Sequence, residues 1–388
     1  MSRRPGVALE TPAIDFADPE FQRAPWQTYA DLRRRSPRLR APDGSWYLLG
    51  YDDVRFALTS PQLGMDHPFR ATRRAFGASM IDQDGEKHRC LRRVTASSFT
   101  PRRMEEYQVA IIEPIVNDLL AGMAGKAVDL VGALAAKVPI RVFCRIMGLP
   151  LEDADDLYQA IIPLVKHLDV DGVSVGQVTS QRAQLRDYLS QIVSSGRYGD
   201  GLVRTFVEAG SDGVITGKDV LNNLMMLLAA GTVTTALSIG NLMTVILRRP
   251  GVYEELCADH ALIPLAVQEA LRLEPPLHVV TRFAVADLEL SGAVIPAGMP
   301  VHLCLASANR DERNFSRPGD LILGRSGQSL TFGSGPHRCL GFALAVRELE
   351  TVLKALVTQF PALRLTGTEE PQIQGRIFRG VPALPVHL

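Results

Sequence analysis

From Val220 to Leu247 the chain runs 28 residues without a charged side chain, bounded by Lys218–Asp219 and Arg248–Arg249. A segment so long and apolar must either cross a membrane or lie at the centre of a large protein. Eight of its residues are polar all the same: Asn222, Asn223, Thr232, Thr234, Thr235, Ser238, Asn241 and Thr244. Gly231 and Gly240 interrupt it as well. In hydrocarbon, neighbouring helices would have to satisfy every one of those groups. Burial in the middle of a large helical protein explains the mixture better.

The rest of the chain can supply that surrounding body. Its 388 residues allow two or three domains. No long linker or internal repeat divides them, so a single domain over residues 1–388 is expected. Hydrophobic residues make up 46% and charged residues 22%, an ordinary globular composition. Lys plus Arg and Asp plus Glu both number 42, which excludes a strongly basic nucleic-acid binder. Residues 1–103 nevertheless carry 18 basic against 12 acidic side chains. That surplus reads as a solvated surface or as a face for an anionic ligand or acidic partner. Cys90, Cys144, Cys257, Cys304 and Cys339 are odd in number and widely spaced, which suits neither a disulfide framework nor a zinc site. The polar N-terminus has no apolar run of a secretory signal, so a cytoplasmic location and no membrane partner are expected.

Apolar spacing predicts amphipathic helices over Asp153–Val165, Gln177–Ser194, Gly251–Leu273 and Phe342–Phe360. Short strands are predicted at Trp46–Gly50, within Arg282–Ile295, and at Met299–Leu305. The fold class is mainly α with small β-sheets (α+β).

The densest local signal is Phe332-Gly333-Ser334-Gly335-Pro336-His337-Arg338-Cys339-Leu340-Gly341. A glycine-rich loop delivers one cysteine to the start of the helix at Phe342. The amides and dipole of a helix N-terminus stabilise a thiolate. Gly333 and Gly335 permit close backbone approach to something bulky and flat.

This loop resembles the haem-binding signature of the cytochrome P450 family, the haem-thiolate monooxygenases, and matches it at every fixed position. The resemblance continues through most of the chain. Glu269-Ala270-Leu271-Arg272 matches the family's E-x-x-R, whose role is structural. Ser307–Asp311 and Gly85–Arg93, with Phe99-Thr100-Pro101 after it, resemble further family segments. The resemblance implies haem b (iron protoporphyrin IX) between the long central helix and the cysteine loop, with Cys339 as the iron's axial ligand. It makes His88, Arg92, Arg282 and His337 the partners of the haem propionates. Phe332, Gly333, Gly335 and Gly341 of the loop, and Ala230 and Gly231 of the long helix, complete the haem-binding set. Thr234 aligns with the threonine that hydrogen-bonds iron-bound dioxygen. The family also implies a ferredoxin and ferredoxin reductase as electron donors, a small-molecule substrate, secondary metabolism, no nucleic acid and a monomer. The little chain beyond the last matching segment leaves a fused reductase unexpected. Arg73, Arg74, Arg89, Arg93 and Arg338 are the expected docking residues.

One position departs from the pattern. In Ala230-Gly231-Thr232-Val233-Thr234-Thr235, Val233 replaces the usual acid, and valine cannot relay a proton. Water on Thr232 and Thr234, or the substrate itself, then supplies the proton; otherwise the reaction avoids ordinary oxygen insertion. Hydroxylation or epoxidation is the first reading, and coupling, desaturation or ring formation through a substrate radical is the alternative. A non-catalytic haem sensor and a scaffold without haem fit less well, because Thr234, Cys339 and all four propionate partners are retained. Substrate contacts are expected from Leu63–Ile81, Leu224–Thr234, Leu277–Val280 and Gly375–Phe378. In them Leu277, Val279, Val280, Ile377 and Phe378 suggest an apolar pocket. Arg376 is a possible polar anchor, and His278 reads better as a surface histidine.

Overall fold

The computed structural model describes residues 14–169, 175–290, 293–367 and 370–388. Its centre is the uncharged segment, a helix from Gly217 to Leu247. A reciprocal capping box starts it: Thr216 Oγ1 accepts from the Asp219 amide at 3.1 Å, and Asp219 Oδ2 accepts from the Thr216 amide at 2.9 Å. Of its most apolar 18-residue stretch, 72% is buried inside the protein. Each of the eight polar residues makes at least one hydrogen bond within the protein. Thr232, Thr234, Ser238 and Thr244 donate to carbonyls one turn back at 2.7–2.9 Å, and Thr235 does so at 3.4 Å. Asn222 donates to Ala78 O, Asn223 accepts from the Met80 amide, and Asn241 donates to Glu274 O and Arg379 O. Neighbouring protein therefore accounts for the segment's composition.

Helices Lys137–Met147, Ala154–Asp169, Val175–Ser195, Ile263–Leu273 and Phe342–Gln359 pack around it. The helix predicted over Gly251–Leu273 is broken. Val252–Ala258 stops, a short 3-10 turn covers His260–Leu262, and Ile263–Leu273 restarts. Asp259 causes the break, since its side chain accepts from the Ala261 amide at 2.9 Å, and Pro264 then favours a new first turn. In the last helix Leu349, Val352, Leu353 and Leu356 are fully buried, while Phe342, Ala345 and Val346 are only half-buried.

The largest sheet orders its strands Arg38–Arg40, Trp46–Leu48, Pro300–Cys304, Val279–Ala284 and Leu63–Gly64. Trp46 pairs with Val301 in parallel, and Arg282 pairs with Val301 antiparallel. Three further strands, Ala127–Asp129, Pro385–His387 and Arg364–Leu365, form a second sheet, and Leu288–Leu290 pairs with Ala293–Ile295. Strand Trp46–Leu48 ends early because Gly50 begins the helix Tyr51–Thr59. Strand Pro300–Cys304 ends early because Leu305 opens a short helix. The mainly helical fold with small sheets is the predicted class.

Candidate active site

The cysteine loop is built around two left-handed glycines, Gly333 at φ +67° and Gly335 at φ +71°. A Cβ on Gly335 would stand 2.8 Å from the Leu58 carbonyl, so glycine is needed there for approach as well as for conformation. The Cys339 amide donates to Phe332 O at 2.9 Å and closes the loop. The loop's entrance is clamped from below. Glu269 takes two 2.7 Å bonds from Arg272 and a third of 2.7 Å from Arg325. Burial opposes ionisation of Glu269, but those hydrogen bonds hold its carboxyl below the usual range. Arg272 also donates to Asn309 O, and Asn309 Oδ1 accepts from the Leu330 amide at 2.7 Å, just before the loop. Glu269-x-x-Arg272 thus has the structural role expected of it.

The Cys339 side chain is exposed, yet burial pushes its thiol up. The Gly341 amide donates to the sulfur, and Arg92 and Arg338 pull the same way. Burial outweighs them, so the helix N-terminus alone does not produce the expected thiolate; a positive ion at the sulfur would. The long helix has a partly open stripe of its own. Leu224–Ala229 are buried, Ala230 is exposed, and Gly231, Thr234 and Leu237 are half-exposed. These positions form one stripe of an otherwise enclosed helix. Gly231 has a further reason: its Cβ would meet the Phe143 ring at 2.4 Å. Thr232 is fully buried and bonded to Leu228 O, away from that stripe, so it cannot share a water with Thr234 as expected. Val233 is buried in the apolar core.

The four residues expected to hold the propionates are brought together beside the loop. The His88 and His337 rings lie 4.2 Å apart. Arg92 donates to Arg338 O at 2.9 Å. Arg282, on strand Val279–Ala284, is buried with one hydrogen bond, to Thr281 O at 3.3 Å, and makes no ion pair among the described residues. Burial and the neighbouring Arg70 lower its pKa to about 10, against the pull of the Asp84 carboxylate nearby. A buried guanidinium with no carboxylate in contact is costly and has room for an anion. His337 gives Nε2 to Asp84 Oδ1 at 3.0 Å, so Nδ1 is the nitrogen left for a ligand. Burial holds its pKa down at about 4, against the pull of Asp84. Asp84 also accepts from the Met65 and Asp66 amides at 2.6 and 2.9 Å. Sequence reasoning missed it, although an Asp just before the Gly85 helix start is a recognisable capping position. The donor set suits a flat dianionic metal complex: one thiol, a glycine cradle, and cations lacking anions.

Leu277 and Phe378 form an antiparallel bridge, which joins two of the expected substrate segments. Val279 and Ile377 instead pack into the N-terminal cluster with Trp26 and Tyr29, while Val280 packs with Leu303 and its neighbours. Arg376 is half-buried. His278 is fully buried rather than on the surface, its ring 5.3 Å from Trp26 and 6.1 Å from Tyr29. The N-terminal helix Pro25–Arg35 covers it, a contact no local pattern discloses. Of the arginines expected at a docking face, Arg74, Arg89, Arg93 and Arg338 are exposed and Arg73 is half-buried against Asp66. A separate surface cleft beside Gln108, His260 and Lys354 shares no residue with this site.

The cytochrome P450 family model matches residues 200–385. Cytochrome P450 monooxygenase PikC of Streptomyces venezuelae is 33% identical, over 98% of this chain and 95% of its own. The 20-oxo-5-O-mycaminosyltylactone 23-monooxygenase of Streptomyces fradiae is 34% identical, over 88% and 84%. Among solved structures, CxnD, a P450 for C–S bond formation in chuangxinmycin biosynthesis, superposes with a TM-score of 0.86 at 29% identity, covering 95% of this chain and 96% of its own. With a third of its residues shared along nearly its whole length, and the fold shared as well, the chain belongs to the cytochrome P450 family of monooxygenases.

Proposed function

We propose that the chain acts as one haem-thiolate unit over residues 1–388. It binds haem b through Cys339 and uses dioxygen to hydroxylate or epoxidise a small, largely apolar molecule in bacterial secondary metabolism. The observation that carries this reading is Arg282, a buried cation without an ion-pair partner among the described residues, set beside His88, Arg92, His337 and the cysteine loop. Bound haem supplies the redox chemistry, and an axial thiolate favours O–O cleavage. The protein's residues do the rest. Arg282, Arg92, His88 and His337 hold the two propionates. Gly333 and Gly335 let the loop lie flat, with Phe332 packed edge-on to Phe342 at 6.1 Å. The Gly341 amide steadies negative charge on sulfur. Ala230 and Gly231 leave room on the opposite wall, and Thr234 presents its hydroxyl there. Leu277 and Phe378 line the substrate side and exclude water.

Electrons come from a separate ferredoxin and its reductase, which dock on Arg74, Arg89, Arg93 and Arg338. The protein works as a cytoplasmic monomer, without nucleic acid or membrane. Val233 supports a second reading, oxidation without oxygen insertion, because a buried valine beside Thr234 passes no proton. The structural likeness to a C–S bond-forming enzyme points the same way.

The test is a spectral titration of the holoprotein with terpenoid, polyketide, peptide and aromatic compounds. A low- to high-spin shift with one class is expected. A Soret band that no compound moves would contradict a freely diffusing substrate and favour a carrier-bound one.

A further inference from the structure

The helix Ala154–Asp169 ends on an acid. A carboxylate in the last turn faces the negative end of its own helix, which disfavours it there. Its partners lie on a distant segment: Asp169 Oδ1 accepts from the Ile377 amide at 2.5 Å and from the Phe378 amide at 2.9 Å. Two successive amides make a nest for an anion, and their bonds to a charged oxygen are the strong kind. The helix gains from such a tie. Pro163, inside it, gives no N–H to the ladder, so the turns beyond are held less firmly by the helix itself.

Ile377 and Phe378 are the tip of a hairpin. Gln374 and Gly380 close its base with two bonds of 3.0 Å. Gly375 stands at φ +126°, and a Cβ there would lie 2.1 Å from Phe378 O, so the turn requires glycine. Arg379 braces the turn, donating to Gly375 O at 2.6 Å, to Ile373 O at 2.9 Å and to Gln22 O. One edge of the hairpin is stitched to the segment after helix Ile263–Leu273. The His278 amide donates to Ile377 O at 2.8 Å, and the Arg379 amide to Pro276 O at 2.9 Å. Gly380 packs on the long helix so closely that a Cβ would meet Leu237 Cδ2 at 2.4 Å. Leu237 belongs to the half-exposed stripe that holds Ala230, Gly231 and Thr234. The hairpin therefore reaches from that stripe to the end of helix Ala154–Asp169, with Phe378 between.

Resting on the proposed function, we infer that Asp169 is a specificity-determining positioning residue. By tying the helix end to the hairpin tip it limits the size of molecule that reaches the haem. Asp169 acts through Phe378, whose backbone it holds and which bridges to Leu277 on the substrate side. A small molecule passes without disturbing the tie. A bulky one must part the helix end from the hairpin, against two charge-assisted bonds.

Imidazole and clotrimazole are the probes, a small and a bulky azole whose nitrogen binds haem iron and red-shifts the Soret band. Stopped-flow mixing with the holoprotein gives their association rates. In Asp169→Ala the clotrimazole rate should rise about fivefold or more, while the imidazole rate changes by less than about twofold. Asp169→Asn keeps an oxygen for the two amides and should keep the wild-type ratio of the rates. Asp169→Glu lengthens the tie by one methylene and should raise the ratio even if Asp169→Ala fails to fold. Asp129→Ala is the control. Asp129 Oδ1 likewise accepts a distant amide, that of Leu384 at 2.7 Å, but on the second sheet. Its loss should lower stability and leave the ratio unchanged. Unchanged rates in Asp169→Ala and Asp169→Glu, or an equal rise for both azoles, overturn the positioning role alone. A wild-type protein whose Soret band neither azole moves sinks the functional reading and the positioning role with it.

Discussion

Two buried polar clusters flank the end of the helix Ile263–Leu273, and they are built to opposite rules. In the first, every polar side-chain atom of Glu269, Arg272 and Arg325 has a protein partner, with Asn309 carrying the link to the cysteine loop. In the second, around Glu274, Arg379 and His278, six atoms have none. The first cluster is closed and fixes a shape; the second keeps bonding capacity for water. A closed network loses everything when one member goes. An open one tolerates change in stability.

The largest effect is expected from opening the closed cluster. Arg272→Ala would strand the buried Glu269 carboxylate and should cost about 3–5 kcal/mol. Urea denaturation measures this, and a loss under 1 kcal/mol would deny the network its role.

The sheet offers a titration to set beside it. His302 bonds Thr281 at 2.9 Å and stacks on Tyr47 at 4.5 Å. Burial lowers its pKa to about 4, against the pull of Asp43. Below the unfolded value of about 6.5 the unfolded chain takes a proton that the folded ring refuses. Stability is therefore whole above pH ~6.5 and falls as pH drops toward 4, by about 3 kcal/mol in all. His302→Phe should flatten that part of the stability–pH curve. His278, lowered by burial and by Arg379, loses stability as pH falls in the same direction.

The smallest effect should come from the open cluster. His278→Leu removes two unpartnered nitrogens and keeps most of the volume, so stability should move by no more than about 1 kcal/mol. A loss as large as that of Arg272→Ala would mean the two clusters do not differ.

These contrasts also show what the sequence disclosed. The cysteine loop was legible because its requirements are local: two glycines at positive φ and a cysteine just before a helix. The long helix was legible from its missing charges; how its polar residues are satisfied, by back-bonding within a turn and by asparagine bonds to distant backbone, was not. The break at Asp259 was hidden because one cap competes with an otherwise continuous apolar stripe. Strands of two or three residues, such as Leu63–Gly64 and Arg364–Leu365, carry too few side chains to show a period. Asp84, Glu274 and Arg379 were missed because their partners lie far off in sequence. His278 was misplaced because only the tertiary packing of Trp26 and Tyr29 buries it.

The central claim is that this scaffold presents Cys339 to a haem iron. The ferrous–CO difference spectrum of the purified holoprotein and of Cys339→Ser tests it most directly. The account predicts a thiolate-type Soret band in the first and its loss in the second. The same band in both, or none in the wild-type protein after haem supplementation, would contradict it.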